Sequence, residues 1–274
     1  KGWVDSETYA PSKVGVGIVV AVKRSNSDRV QNLKGWQAKV NLLDKFNHPN
    51  LVKLLGYCWE GKDFLLVYEY MQKGSLGNHL FGRRTEPLSW NIRIKIATEA
   101  AQGLVFLHST GIITVYKNFK CSDILLDEDF NAKLSDFGCV NLPNLGPANG
   151  YATTVDTYYY ASPEYINTDH LYVKNNVYNF GVVLLEMIIG LRAVGTNRPS
   201  SQFNLVEWAR PALSDKRRLQ EIIDPRLEND YPSKGASKAS KLILSCLKPD
   251  PKNRPSMEEV LFSLKQISAI QTKS

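Results

Sequence analysis

TVYKNFKCSDILLDEDFNAKLSDFGCV, running from Thr114 to Val140, is the stretch on which the reading of this chain turns. Its right half holds two short aliphatic runs, ILLD and AKLS, that read as strands. Beyond them stands Asp136, followed by Phe137 and Gly138, a carboxylate placed to hold a metal-bound phosphate. The left half puts Asn118 where such a site calls for a second kind of carboxylate, one that accepts a proton. The residues therefore ask whether this chain performs a reaction or keeps only the shape for one.

Upstream, GIVVAVK at 17–23 is β-branched and flanked by glycine and polar residues, which argues a strand. A helix follows: Ser27 or Asp28 offers an N-cap, and Leu33, Trp36, Val40 and Leu43 recur at helical spacing on one apolar face. LVKLLGYC and FLLVYEYM are two further strands joined by the turn EGKD. From GSLGNHLF onward helices dominate. A long one runs through WNIRIKIATEAAQGLVFLH, a buried one ends at Gly190, and two lie near the end. The last opens at Pro255 and Ser256 with Glu258 and Glu259 in its first turn, where carboxylates suit the helix dipole. A loop rich in Gly, Pro and Asn covers 141–150. The fold class is thus α+β, with a small sheet-rich lobe followed by a larger helical lobe. A cleft between two lobes is the natural place for a ligand.

With 43% hydrophobic and 22% charged residues, the composition excludes a disordered chain. The net charge of +7 is interspersed with Asp and Glu, and clusters such as DKRR at 215–218 are short. That pattern favours a solvated basic face over a nucleic-acid footprint, so no nucleic-acid partner is expected. Cys58, Cys121, Cys139 and Cys246 form no CxxC pair and no zinc-like spacing with the histidines, which fits reduced thiols in the cytosol. The longest apolar stretch, FGVVLLEMIIGL at 180–191, is interrupted by Glu186 and is too short to span a bilayer. The chain opens on Lys1 rather than Met with no signal peptide, so an excerpt of a longer chain is expected.

Taken together, VAVK (20–23), HPNLVKLLGYC (48–58), LLVYEYMQKGSL (65–76), ILLDEDFNAKLSDFG (124–138), SPEY (162–165), VYNFGVVLLEM (177–187), NLVEWARP (204–211), DPRL (224–227) and DPKNRPSMEEV (250–260) resemble the eukaryotic protein kinases, specifically plant receptor-like cytoplasmic kinases. The motifs run in family order across the chain. The resemblance implies one kinase-like domain over 1–274, with its N-lobe at 1–71 and its C-lobe at 72–274. It also implies ATP and Mg2+ as cofactors and a set of roles. Lys23 would grip the α- and β-phosphates, Ala21 would pack on adenine, Tyr68 would guard the back of the pocket, and the backbone at Glu69 and Met71 would bond the adenine edge. Leu125 would close the pocket from below, Asp136 and Asp123 would hold magnesium, and Lys120 matches the lysine typical of serine/threonine kinases. The family's glycine-rich loop is expected just before KGWVDSETYAP, so the first strands of the small lobe are missing from these residues.

Against the family pattern, Lys39 fills the slot of the helix glutamate that pairs with the strand lysine; two ammonium groups repel, and that ion pair cannot form. The catalytic loop reads Tyr116, Lys117, Asn118, Lys120 and Asp123, with Asn118 replacing the catalytic aspartate. An amide accepts a hydrogen bond but takes up no proton. Lys117 keeps an arginine's charge without its fork. Asp123 stands for an asparagine and remains an oxygen ligand; as a replacement base it sits five residues from Asn118, with its side chain expected to face the metal. DTYYYASPE carries Asp156 and Tyr159 where the family has glycines, which is expected to distort the peptide groove. Asn176 and Asn179 replace an aspartate and a glycine, which is expected to weaken the brace under the catalytic loop, while Glu164 and Arg254 keep a family ion pair.

The resemblance therefore implies a pseudokinase that binds other signalling proteins, receptor kinases among them, in cytoplasmic signalling of the immune type. The alternatives are a serine/threonine kinase with residual activity and a decaying gene copy without a role. Magnesium-dependent nucleotide binding is expected, because both oxygen ligands remain. Family members often sit at the plasma membrane through an acylated N-terminus, so peripheral membrane contact is a further expectation.

Overall fold

The computed structural model describes residues 1–26, 33–60, 63–82, 86–110, 116, 119–137, 159–164, 173–195 and 197–270. The expected caps at Ser27 and Asp28, the middle of the EGKD turn, Lys117, Asn118, Cys139, the 141–150 loop and Asp156 lie outside these residues, as does the side chain of Lys39. Four antiparallel strands, β1 (Gly2–Val4), β2 (Ile18–Asn26), β3 (Leu54–Glu60) and β4 (Asp63–Glu69), form the first sheet in the order β1-β2-β4-β3. Helix α1 (Leu33–Lys45) packs on it through Trp36, Val40 and Leu43, the face its spacing defines. The ring of Trp36 meets Phe64 of β4 at 5.2 Å between centroids. The register of β2 on β4 sets Ala21 opposite Tyr68 and Lys23 opposite Leu66, so residues far apart in the chain share one end of the sheet.

The chain then crosses to helices through β5 (Gly74–Ser75) and α2 (Leu76–Phe81). Helix α3 (Trp90–Ser109) is capped by Ser89, whose hydroxyl accepts from the Ile92 N–H at 3.4 Å. Strands β6 (Ile124–Leu126) and β7 (Ala132–Leu134) complete a three-stranded sheet with β5. Gly103 lets α3 press against β7: a Cβ there would meet the Leu134 Cδ1 at 2.8 Å and the Asn50 carbonyl oxygen at 2.9 Å. That close approach fixes the strand that carries Ser135 and Asp136.

Helix α4 (Val173–Ile189) is buried almost throughout, and its buried polar side chains Asn176, Asn179 and Glu186 are hydrogen-bonded there. It ends where expected, at Gly190, whose φ of +73° suits glycine, and where a Cβ would meet the Asp224 Oδ2 at 2.3 Å. Helices α5 (Leu205–Leu213), α6 (Lys216–Ile222), α7 (Ser233–Cys246) and α8 (Met257–Ser268) follow. Ser256 and Glu259 form a capping box at the start of α8, with the Glu259 carboxylate accepting from the Ser256 N–H at 2.7 Å. Two buried ion pairs tie this lobe together. Arg254 is fully buried and donates twice to Glu164, at 2.6 and 2.7 Å. Arg93, 1% exposed, meets Asp224 at 2.7 Å and donates to the carbonyls of Leu88 and Met187. Burial alone would lift the Glu164 carboxyl; the hydrogen bonds and charge of Arg254, together with hydrogen bonds from Ser162 and the backbone, outweigh it and hold the group below the usual carboxylate range.

Two features of this architecture were not expected from the residues. Strand β1 is three residues long, too short for any alternation to show. Helix α5 carries Pro211 inside it and α6 buries only Leu219, so one contains a breaker and the other lacks an apolar face. Among the described residues, no helix is long and apolar enough to cross a membrane.

Candidate nucleotide-binding cleft

A cavity of about 370 Å³ opens between the first sheet and the β6–β7 hairpin. Ala21 and Lys23 reach it from β2, Tyr68, Glu69 and Met71 from the end of β4, Leu125 from β6, and Asp136 from the turn after β7. Each of the seven residues singled out for a nucleotide thus lines one cavity. Leu43 and Val52 extend its apolar wall, and Ser122 adds a hydroxyl; the sequence assigns none of these three to a nucleotide site. The signal for Ser122 was its place beside Asp123; Leu43 and Val52 are indistinguishable from core residues until the fold turns them inward.

At the polar end the Lys23 ammonium pairs directly with the Asp136 carboxylate. Both side chains are about half exposed. Asp136 holds its carboxylate there from a left-handed backbone, φ +58°, a conformation that aspartate tolerates better than most residues. Phe137 anchors the turn by burying its ring against Phe46 at 5.8 Å. Tyr68 stands at the back, its phenol pushed up to about 12 by burial, with the charge of Asp136 adding to the effect. The Glu69 carboxylate is already used: it accepts from the Lys53 N–H at 2.7 Å and pairs with Lys133 at 2.7 Å, which locks the segment whose backbone faces the cavity.

Asp123 lies beneath this end, almost fully buried. Its carboxylate accepts from the Lys120 N–H at 3.1 Å and the Ser122 hydroxyl at 3.3 Å. Burial pushes its carboxyl up to about 7, with Asp136 adding repulsion. The two acidic segments are laced together, since Ser135 donates its N–H to the Asp123 carbonyl at 2.8 Å and the Tyr116 hydroxyl donates to the Ser135 carbonyl at 2.7 Å. Neither Asp123 nor Lys120 is among the residues that line the nucleotide cavity: Asp123 is buried behind Ser122, and Lys120 faces a second, adjoining cavity.

Asn176 takes part in the brace under the catalytic loop through both ends of its amide. Asn176 accepts from the Tyr116 N–H at 3.1 Å and donates to the Tyr116 carbonyl at 2.8 Å, so the amide holds both backbone groups of one residue. A carboxylate could accept there but not donate. Loss of the charge has changed the brace rather than removed it. His108 also reaches Asn176, at 3.3 Å, and Asn179 donates to the Tyr160 carbonyl.

The donor set fits a magnesium–nucleotide complex. One end of the cavity is apolar; the other presents an ammonium and a carboxylate, each balancing the charge that a triphosphate and a metal ion would balance in turn.

Residues 6–263 match the family model described as "Protein kinase domain". The chain is 52% identical over 274 residues to "Probable serine/threonine-protein kinase CST" of Arabidopsis thaliana, covering 98% of this chain and 64% of that protein. It is 51% identical to "Receptor-like cytoplasmic kinase 176" of Oryza sativa subsp. japonica, covering 97% of this chain and 68% of the relative. To "Serine/threonine-protein kinase PBL34" of Arabidopsis thaliana it is 52% identical, again over 97% of this chain but 54% of the relative. The chain belongs to the protein-kinase family, in its plant receptor-like cytoplasmic branch. It spans between about half and two thirds of the length of these curated relatives.

Proposed function

We propose that the chain is a nucleotide-binding kinase homologue whose phosphoryl transfer is impaired and which acts by binding signalling proteins, receptor kinases among them, in immune-type signalling in the cytoplasm and at the plasma membrane. The observation that carries the nucleotide reading is the meeting of Lys23 and Asp136 at the polar end of an otherwise apolar cavity. The base would lie between Ala21, Met71 and Leu125, with the backbone at Glu69 and Met71 along its edge. Lys23 would hold phosphate, and Asp136 with Asp123 would hold magnesium. Magnesium, when bound, neutralises charge on the phosphoryl oxygens. Exposed ion pairs contribute roughly 1 kcal/mol or less, so Lys23 and Asp136 can exchange each other for ligand at little cost.

Impairment follows from residue type. Asn118 offers a hydroxyl nucleophile an acceptor without a basic site, and a general base typically contributes about 10²–10⁴ in rate. By residue type, Lys39 places a cation in the slot where the family has a carboxylate partner for the strand lysine. The second reading, residual serine/threonine kinase activity, is favoured by one feature: the loop remains braced through Asn176 and Tyr116, with Lys23, Lys120, Asp123 and Asp136 all retained.

The test is phosphate incorporation from labelled ATP and magnesium into a generic protein substrate by the full-length protein. The expected signal equals that of the Lys23→Met variant, and the double change Asn118→Asp with Lys39→Glu raises it by about 10² or more. Strong incorporation by the unaltered protein, abolished in Lys23→Met, would overturn the impaired reading in favour of the active one.

A further inference from the structure

Beside the nucleotide cavity lies a second one of about 210 Å³, and Ser122 lines both. Among its described lining residues two side chains carry charge, Lys120 from the catalytic loop and Arg192 from the segment after α4, and both are cations. Ser75, Asn78 and Ser122 contribute further hydrogen-bonding groups. Arg192 is held in place by the Phe81 ring, with its guanidinium carbon 4.4 Å from the ring centroid, so the charge is kept at the wall.

A carboxylate does lie under this cavity, yet its oxygens are turned to the protein. Glu186 is fully buried, and its Oε2 accepts from the Cys121 thiol at 3.0 Å. Its Oε1 accepts from the Tyr160 hydroxyl at 2.6 Å and the Ala193 N–H at 2.7 Å. Cys121, Tyr160 and Ala193 themselves form the floor, so three donors stand between this carboxylate and anything entering from above. Among the described lining residues, a basic group entering would meet two like charges and no open carboxylate, whereas an acidic group would meet two cations and several donors.

We propose that this cavity is a subsite for an anionic side chain of a bound peptide, a carboxylate or a phosphorylated residue, held by Lys120 and Arg192. Because Ser122 is shared, a peptide anchored there runs past the phosphate end of the nucleotide cavity. The inference deepens the reading of the chain as a kinase homologue that binds signalling proteins, by naming the chemistry of what it binds.

The experiment measures binding of the full-length protein to three degenerate peptide libraries that differ in one fixed residue: phosphoserine, glutamate or arginine. The phosphoserine and glutamate libraries are expected to bind at least about fivefold more tightly than the arginine library. Which of the two binds better tells phosphate from carboxylate. Arg192→Glu should erase or invert that ranking and Arg192→Lys should keep it, with the nucleotide-induced thermal shift unaltered in both. Equal or tighter binding of the arginine library, a ranking untouched by Arg192→Glu, binding of inorganic phosphate with no ranking among peptides, or no binding by any library would each overturn the proposal. The nucleotide shift is read separately: a ranking without a shift sinks the nucleotide reading alone, and a shift without a ranking sinks the subsite alone.

Discussion

The cleft and the helical lobe both contain ion pairs, and the two kinds differ in a way that separates binding from folding. Lys23 and Asp136 are 44% and 56% exposed and, among the described residues, pair with each other. Arg254 and Glu164 are 0% and 16% exposed, with two charged hydrogen bonds between them and further bonds from Arg254 to the carbonyls of Lys174, Lys248 and Pro249. A half-wet pair is cheap to break and so can be traded for a ligand. A dry, saturated pair leaves an uncompensated charge when broken, so it works as a structural tie. The chain has kept both kinds, and it is at Asn118 and Lys39 that its residue types depart from the family pattern.

The contrast can be broken most sharply at Arg254. Arg254→Ala should cost about 3–5 kcal/mol in a urea titration, because Glu164 is left without its partner. A loss under about 1 kcal/mol would mean that the buried pair is no tie at all. The next effect in size concerns Asp123. Burial lifts its carboxyl to about 7, so the unfolded chain ionises first and the ligand-free fold loses stability as pH rises from the ordinary carboxylate range towards 7. Asp123→Asn removes that penalty. It should therefore stabilise the protein by about 2 kcal/mol more at pH 8 than at pH 5.5, seen as the difference between urea midpoints at the two values. A pH-independent effect would show that Asp123 is charged throughout.

Smaller still is Asn176→Ala. It removes the donor and the acceptor that hold Tyr116 and should cost about 1–2 kcal/mol of stability. Amide exchange should rise at Tyr116 first; unchanged protection there would remove Asn176 from the brace. The smallest effect belongs to the cleft pair: Lys23→Met should change stability by less than about 1 kcal/mol. A loss as large as that of Arg254→Ala would erase the distinction between the two regions.

How far the molecule could be read in advance follows the same division. Strands β2, β3 and β4 and helices α1, α3, α4 and α8 announce themselves, because apolar spacing and caps are local properties of the chain. The seven cavity residues were legible since each sits on a strand, at a strand end or in a turn whose motif fixes its direction. Which way Lys120 and Asp123 face was not legible, because the direction of a loop side chain depends on what packs around it: Lys120 faces the neighbouring cavity, and Asp123 is buried off the lining of the first. The bonding of Asn176 was hidden for a different reason. Replacing a carboxylate by an amide reads as lost charge, and only the fold shows that the new N–H finds the Tyr116 carbonyl.

The most direct measurement is the thermal shift of the full-length protein with ATP, with and without magnesium, in parallel with its Lys23→Met variant. A ligand that binds the folded state alone raises its apparent stability, by about 2.7 kcal/mol at a hundredfold excess over Kd. The account predicts a magnesium-dependent rise in the unaltered protein and its loss in Lys23→Met, whose own melting temperature stays near that of the parent. No rise with ATP, or the same rise in both proteins, would contradict it.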